Sequence, residues 1–412
     1  MTQTTYLQFD GLKNPVALEN AAYLEPMISE VLAGWAHSAS AVGQSEPFVT
    51  IRPCDEDRWE LVLAESPSKP RRWNAVNVIC DLVAEMAWER LRSDPSLLCL
   101  HAAAVEFSGR LVIFPNTRRT GKSTMTAALA QLGHKIYTDD FLPVRVDAHS
   151  QAYLGIANGI APRIRLPLPE GFSDALQAWV QQDPGPCNRQ YKYLRSATIA
   201  PGGEMMALGA MVILDRQDDP ITPSLAPIPR ADALSSLINQ NFARTQLSSA
   251  ILKSMDALTR DLPVFRLTYS CAEEAAKLIA THPALQSLPA AKNYTTETVI
   301  EQAPLEKLNN PRPAFAPSRH YIQASGLTET LVDQDHFLAD NNGLSIYRLN
   351  AGSVAIWKVL AEPTNLDEVI EILTTAFDDV APEQIASDSE YLMRNLVEAG
   401  LLVPARTELA AR

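Results

Sequence analysis

The stretch Phe114–Phe141, "FPNTRRTGKSTMTAALAQLGHKIYTDDF", decides how this chain reads. Before it runs the apolar segment "RLVIF" (110–114); after a polar loop comes "STMTAALAQL" (123–132), a helix-forming segment, and then "HKIYTDDF" (134–141), which reads as a second strand. The loop closes on Gly121-Lys122-Ser123-Thr124, the ending of a phosphate-binding loop. Such loops work because successive backbone N–H groups and a helix N-terminus face phosphate oxygens. Their lysine reaches the β/γ-phosphates and their Ser/Thr binds Mg²⁺. The earlier part departs from that pattern, with Asn116 and Arg119 where glycines are usual. Asn tolerates a positive φ better than most residues, whereas Arg fits there only with a helical or extended backbone. On Gly-Lys-Ser-Thr alone, a nucleotide loop and a chance match stay equally open.

Working outward, two features add chemistry. Asp139 and Asp140 end the next strand, where α/β folds place catalytic and metal-binding carboxylates. Such a pair can anchor Mg²⁺ and accept the proton of an attacking hydroxyl, although two acids in an exposed turn are the plainer alternative. His101 closes another strand-like run, "LCLHAAAV" (98–105). A lone histidine in an apolar strand is as readily structural as functional.

The bulk properties bound the reading. With 412 residues, of which 46% are hydrophobic, the chain should hold two or three domains with ample cores. The start, "MTQTTYLQFD", has no basic region followed by an apolar one, and no apolar run approaches the roughly 18 residues of a membrane helix. Five scattered cysteines without a C-x-x-C pair point away from a disulfide framework or a zinc site, and toward a reducing cytoplasm. Between Tyr321 and Pro404, 14 acidic side chains stand against Arg348, Lys358 and Arg394, so this segment carries −11 of the chain's −13. That disfavours nucleic acid and anionic membranes as partners and suits a basic peptide or protein, or simply well-solvated helices.

The organisation reads as an N-terminal α/β region (1–95), an α/β domain with a largely buried sheet (96–281), a Pro-rich linker (282–320) and a small C-terminal domain (321–404). In the first, "WNAVNVICDLVAEMAWERLRS" (73–93) predicts a helix burying Val76, Ile79, Val83, Met86 and Leu91, with Trp73 and Trp88 as packing residues. In the last, "LVDQDHFLADNNGLSIYRLN" predicts two strands around Asn341-Asn342-Gly343, followed by three helices, a winged-helix pattern. Arg163, Arg165 and Lys192 are further phosphate-binding candidates, for which surface solvation is the simpler reading.

The 100–144 segment, "LHAAAVEFSGRLVIFPNTRRTGKSTMTAALAQLGHKIYTDDFLPV", resembles HPr serine kinase/phosphorylase and its kinase-like relatives. The resemblance rests on the His, the loop, the "GH" before a strand and the Asp-Asp. It implies a P-loop fold akin to phosphoenolpyruvate carboxykinase and Mg-ATP-dependent phosphorylation of a peptide or protein hydroxyl. Carried over, Asn116, Thr117, Arg118, Arg119, Thr120, Gly121, Lys122, Ser123 and Thr124 form the nucleotide loop. Asp139, Asp140 and His101 are catalytic, and Ser123 with Asp140 hold the metal. The family's downstream Glu-x-Arg-Gly signature is missing, since "GIANGIAPRIRLPLP" (155–169) has no acid, and a phosphorylase activity is not implied. A second resemblance, in "GLSIYRLNAGSVAIWKVL", "LDEVIEILTTAF" and "NLVEAGLLV", is to the PqqD family of peptide-binding modules that recognise precursor peptides of ribosomally made, modified products. Such modules take a peptide as an added strand. Ile346, Tyr347, Leu349, Ile356 and Trp357 are read as that module's core. Together the resemblances imply a kinase acting on a tethered precursor peptide, with a catalytically silent nucleotide-binding delivery protein as the alternative.

Overall fold

A computed structural model describes residues 3–115, 120–146, 152–168, 172–240, 247–288, 314–340 and 346–405. The chain opens with strands β1 (Thr4–Phe9) and β2 (Val16–Glu19), helix α1 (Glu25–Val31), strands β3 (His37–Ser40), β4 (Val49–Asp55), β5 (Arg58–Leu63) and β6 (Arg71–Trp73), and helix α2 (Ala75–Ser93). The expected helix starts where it should: the Asn74 side chain accepts the Asn77 N–H, and Arg90 and Arg92 fall in the last turn, opposite the helix dipole. Val76, Ile79, Val83 and Met86 are buried under the six-stranded sheet β3-β1-β2-β4-β5-β6. Trp73 departs from its expected packing role. It is 39% exposed and its indole donates to Asp81, because it lies on an edge strand with its polar end outward.

The second sheet is built from β7 (Leu98–Leu100), β8 (Ala102–Phe107), β9 (Arg110–Pro115), then α3 (Lys122–Gln131), β10 (Ile136–Thr138), β11 (Leu142–Val146) and β12 (Tyr153–Ile156). A small hairpin, β13 (Arg163–Arg165) with β14 (Tyr191–Tyr193), flanks helix α4 (Asp174–Gln182). The long β15 (Met205–Arg216) and β16 (Ser224–Pro227) precede α5 (Arg230–Ile238) and α6 (Ser248–Asp261), and β17 (Val264–Tyr269), α7 (Ala272–Thr281) and α8 (Pro283–Gln286) follow. β15 runs parallel to both β9 and β17, so its "GAMVILD" run is buried on both faces and needs no polar alternation. Helix α3 packs against α7, and the buried Ala127, Ala128, Ala275 and Ala276 let the two backbones approach closely.

By contacts the chain forms two compact units: Met1–Ile228, Asn239–Ala243 and Leu258–Glu297 make the first; Pro229–Ile238, Arg244–Ala257 and Thr298–Arg412 make the second. The sequence boundaries therefore shift in three places. Residues 1–95 do not separate from the region that follows them, because Cys99, Phe141, Ile160 and Tyr193 join the N-terminal core. There the Gly34 N–H donates to the Gly159 carbonyl at 2.8 Å and the Gly202 N–H to the Gly34 carbonyl at 2.7 Å. Gly159 has φ +67°, and a Cβ on it would lie 2.2 Å from the Gly34 carbonyl carbon. Gly159→Ala should therefore cost about 3 kcal/mol and lower the first calorimetric transition by roughly 5 °C or more. An unchanged transition would contradict this backbone contact.

The ends of the expected linker are structured too. Leu285, in α8, is fully buried in the first unit's core, and Phe315 packs into the second's. Helix α5 and the first part of α6 belong to the second unit. That unit also holds β18 (Tyr321–Gln323), β19 (Leu327–Val332), β20 (Asp335–Asp340), β21 (Ile346–Leu349), α9 (Ala351–Val359), α10 (Leu366–Ala376), α11 (Pro382–Ala399) and β22 (Leu402–Pro404). Asn365 and Glu368 form a capping box at the start of α10; Pro382 opens α11 and Gly400, at φ +77°, stops it. β19, β20 and β21 make an antiparallel sheet, while β22 returns after the helices to pair with β18. The expected turn at Asn341-Asn342-Gly343 lies outside the described residues, although the β20–β21 pairing on either side of it is antiparallel. Leu349, Ile356 and Trp357 are buried as expected, and Tyr347 is partly buried against them.

Candidate functional site

Sheet register assembles the site. Ala102, at the start of β8, pairs with Pro115 at the end of β9, and Ala104 pairs with Thr138 at the end of β10. His101, Pro115 and the Asp139-Asp140 pair therefore lie at one end of the sheet. Asn116, Thr117, Arg118 and Arg119 lie outside the described residues. The loop is described again from Thr120, whose carbonyl accepts the Tyr269 hydroxyl at 3.2 Å. Gly121 follows in the left-handed region at φ +91°, where a Cβ would meet that hydroxyl at 2.5 Å, so the glycine is required on two counts.

Helix α3 begins at Lys122, directing its N-terminal amides toward the same end. Lys122 is only 8% exposed and its ammonium donates to the His101 carbonyl at 3.4 Å. Ser123 and Thr124 are half-buried on the first turn.

The two acids are not equivalent. Asp139 is 6% exposed and accepts the Arg163 backbone N–H at 2.8 Å. Burial, with the neighbouring Asp140 charge, pushes its carboxyl up to about 6. Asp140 sits in a concavity yet keeps 39% of its side chain open. Burial opposes its ionisation too, but the His101 hydrogen bond and the charges of Arg163, His101 and Lys122 outweigh it and hold the carboxyl at about 2. His101 Nε2 lies 3.2 Å from Asp140 Oδ1, and Arg163 Nη2 lies 3.8 Å from Oδ2.

Arg163 is the residue that sequence reasoning undervalued. Its guanidinium lies 4.7 Å from the centre of the Tyr191 ring and beside Asp140, not out in solvent. Lys192 is likewise inward, donating to the Gln181 carbonyl at 2.9 Å, while Arg165 stays exposed. Alternation in "RIR" could have marked Arg163 and Arg165 as one-faced, but nothing local names the acid that Arg163 meets. Beyond Gly121 and Thr124 opens a cavity of about 240 Å³, closed by Phe172, Arg216, Tyr269 and Ala272.

Among the described residues no group of three or more His, Cys, Asp or Glu side chains is arranged to hold a metal. A hydroxyl on a helix first turn and one ionised, partly open carboxylate do fit Mg²⁺, which takes one or two carboxylates and completes its shell with phosphates and water.

Residues 335–402 match the family described as coenzyme PQQ synthesis protein D (PqqD). The C-terminal segment carries a PqqD domain. The match begins at β20, and the fold adds β19, paired with β20 along its whole length, to the PqqD domain's sheet. Among solved structures, the HPr(Ser) kinase/phosphatase from Coxiella burnetii is similar at 12% identity over 44% of this chain and 91% of that one, with a TM-score of 0.22. A search of curated proteins finds no match. Among the described residues no helix is long and apolar enough to cross a membrane.

Proposed function

We propose that this protein is an ATP-dependent kinase that phosphorylates a hydroxyl of a peptide held by its PqqD domain. The observation that carries the reading is the convergence of His101, Lys122, Asp139, Asp140 and Arg163 at one end of the sheet, around the N-terminus of α3. In the reaction the acceptor hydroxyl attacks the γ-phosphorus, the bond to the β-phosphate oxygen breaks, and ADP leaves. Asp139, the more basic carboxylate, takes the hydroxyl proton. Lys122, Arg163 and the α3 amides face the phosphate charge, and His101 stands beside the transferred group. Ser123 and Asp140 would hold Mg²⁺, which supplies charge neutralisation at the phosphates when bound. The PqqD domain supplies the peptide at high effective concentration, so a modest site acts selectively.

The cavity beyond Thr124 takes the nucleoside. At about 240 Å³ it is smaller than the roughly 300–1,000 Å³ typical of drug-sized ligands, which leaves room for a nucleoside but not a peptide. Ala272→Trp should fill it and weaken ATP binding at least about tenfold, while tripolyphosphate, which lacks the nucleoside, binds within about twofold of wild type. Equal losses for both ligands in calorimetry would move the nucleoside elsewhere.

A second reading, a nucleotide-binding delivery protein without transfer, is favoured by Asp139, which is buried and already engaged by Arg163. Incubating the full chain with γ-labelled ATP and Ser/Thr-containing precursor peptides decides between them. Label on a peptide supports the kinase; bound ATP and bound peptide without transfer supports delivery.

A further inference from the structure

Gln240 is 4% exposed and turned onto His101. Its carbonyl accepts the His101 N–H at 2.7 Å, and its side-chain Oε1 lies 3.1 Å from His101 Nδ1. On the far side of the ring, Nε2 faces the Asp140 carboxylate at 3.2 Å. When the imidazole is neutral it carries one ring proton, and the carboxylate, which only accepts, requires it on Nε2. Nδ1 must then accept, and a half-turn of the Gln240 amide presents its NH₂ there. A buried amide at that position therefore fixes both the tilt of the ring and its tautomer, as orienting partners of functional histidines do.

We propose that Gln240 is a positioning residue for His101, holding its ring toward Asp140. This inference rests on the kinase reading for its consequence, but its first measurement does not.

The test uses the full chain labelled with ¹⁵N-histidine, with the His101 resonances among those of the seven histidines identified by His101→Gln. Wild type should show ring nitrogen shifts of a single Nε2–H tautomer. Gln240→Ala should move them toward the average of both tautomers and lower kcat about 10- to 100-fold, with KM for ATP within about twofold. Gln240→Glu, which can only accept at Nδ1, should draw a proton onto that nitrogen and abolish the single Nε2–H signature. Unchanged His101 shifts in Gln240→Ala overturn the positioning role. If wild type transfers no phosphate while the shifts respond as stated, the kinase reading fails and the positioning stands.

Discussion

Asp139→Asn should lower phosphate transfer to the peptide by about 10³-fold while the affinity for Mg-ATP stays within about twofold of wild type. The amide is isosteric and its oxygen can still accept the Arg163 N–H, so the backbone around the pair keeps its anchor. What it cannot do is take the hydroxyl proton as the new phosphate ester bond forms. The fold should not suffer, because burial already penalises the ionised form of this side chain and an uncharged one removes that penalty. Asp140→Asn makes the contrast. That carboxylate stays ionised between His101 and Arg163, so its loss should weaken the dependence on Mg²⁺ and leave the cations beside it without their counter-charge. The measurement is single-turnover transfer alongside equilibrium nucleotide binding for both variants. If Asp140→Asn is the variant without transfer and Asp139→Asn retains it, the two roles are exchanged. If neither matters to transfer, the acid pair is structural.

How much of this was legible in the sequence depends on the range of the interaction concerned. The strand before Pro115, the helix after Gly121 and the acids after Thr138 are all local signals: apolar runs, a glycine at a helix start, polar residues at a strand end. Those elements form where the pattern places them, and register does the rest by pairing Ala102 with Pro115 and Ala104 with Thr138. Arg163 was harder. Its guanidinium reaches Asp140 only because the β13–β14 hairpin lays "RIR" beside the pair, a contact spanning 23 positions with no periodicity to announce it.

Gln240 was illegible, since nothing in "LINQN" distinguishes it from a solvated loop residue. The boundaries failed for a related reason. Composition marks prolines between 282 and 320, but it cannot show that Leu285 and Phe315 are each claimed by a core formed elsewhere in the chain. Nor does the helical pattern of α5 say which of two units will bury it; that is settled by Asp333 and Arg348, about a hundred residues further on.

Lys122→Ala should weaken Mg-ATP binding about 100-fold, and it separates a working loop from a chance Gly-Lys-Ser-Thr more sharply than any loop substitution. Lys122 is 8% exposed, and a lysine is rarely that buried without a charged or polar partner. In the structure it donates to the His101 carbonyl, so it joins the start of α3 to the bend between β7 and β8. If that link were its whole purpose, alanine would loosen His101 and lower stability, yet nucleotide affinity would change little. If instead the ammonium faces the β/γ-phosphates, the loss is that of one or two hydrogen bonds between charged groups, each about 1.5–3 kcal/mol. Lys122→Arg distinguishes charge from shape, because the larger planar head does not fit a point-charge site between a helix start and a strand end. It should therefore fail to restore binding although it keeps the charge. Calorimetry with ATP, set beside a thermal melt of each variant, reads the two effects independently. A full loss of affinity with little loss of stability is the expected result, and equal affinities in wild type and Lys122→Ala would leave the loop without a nucleotide.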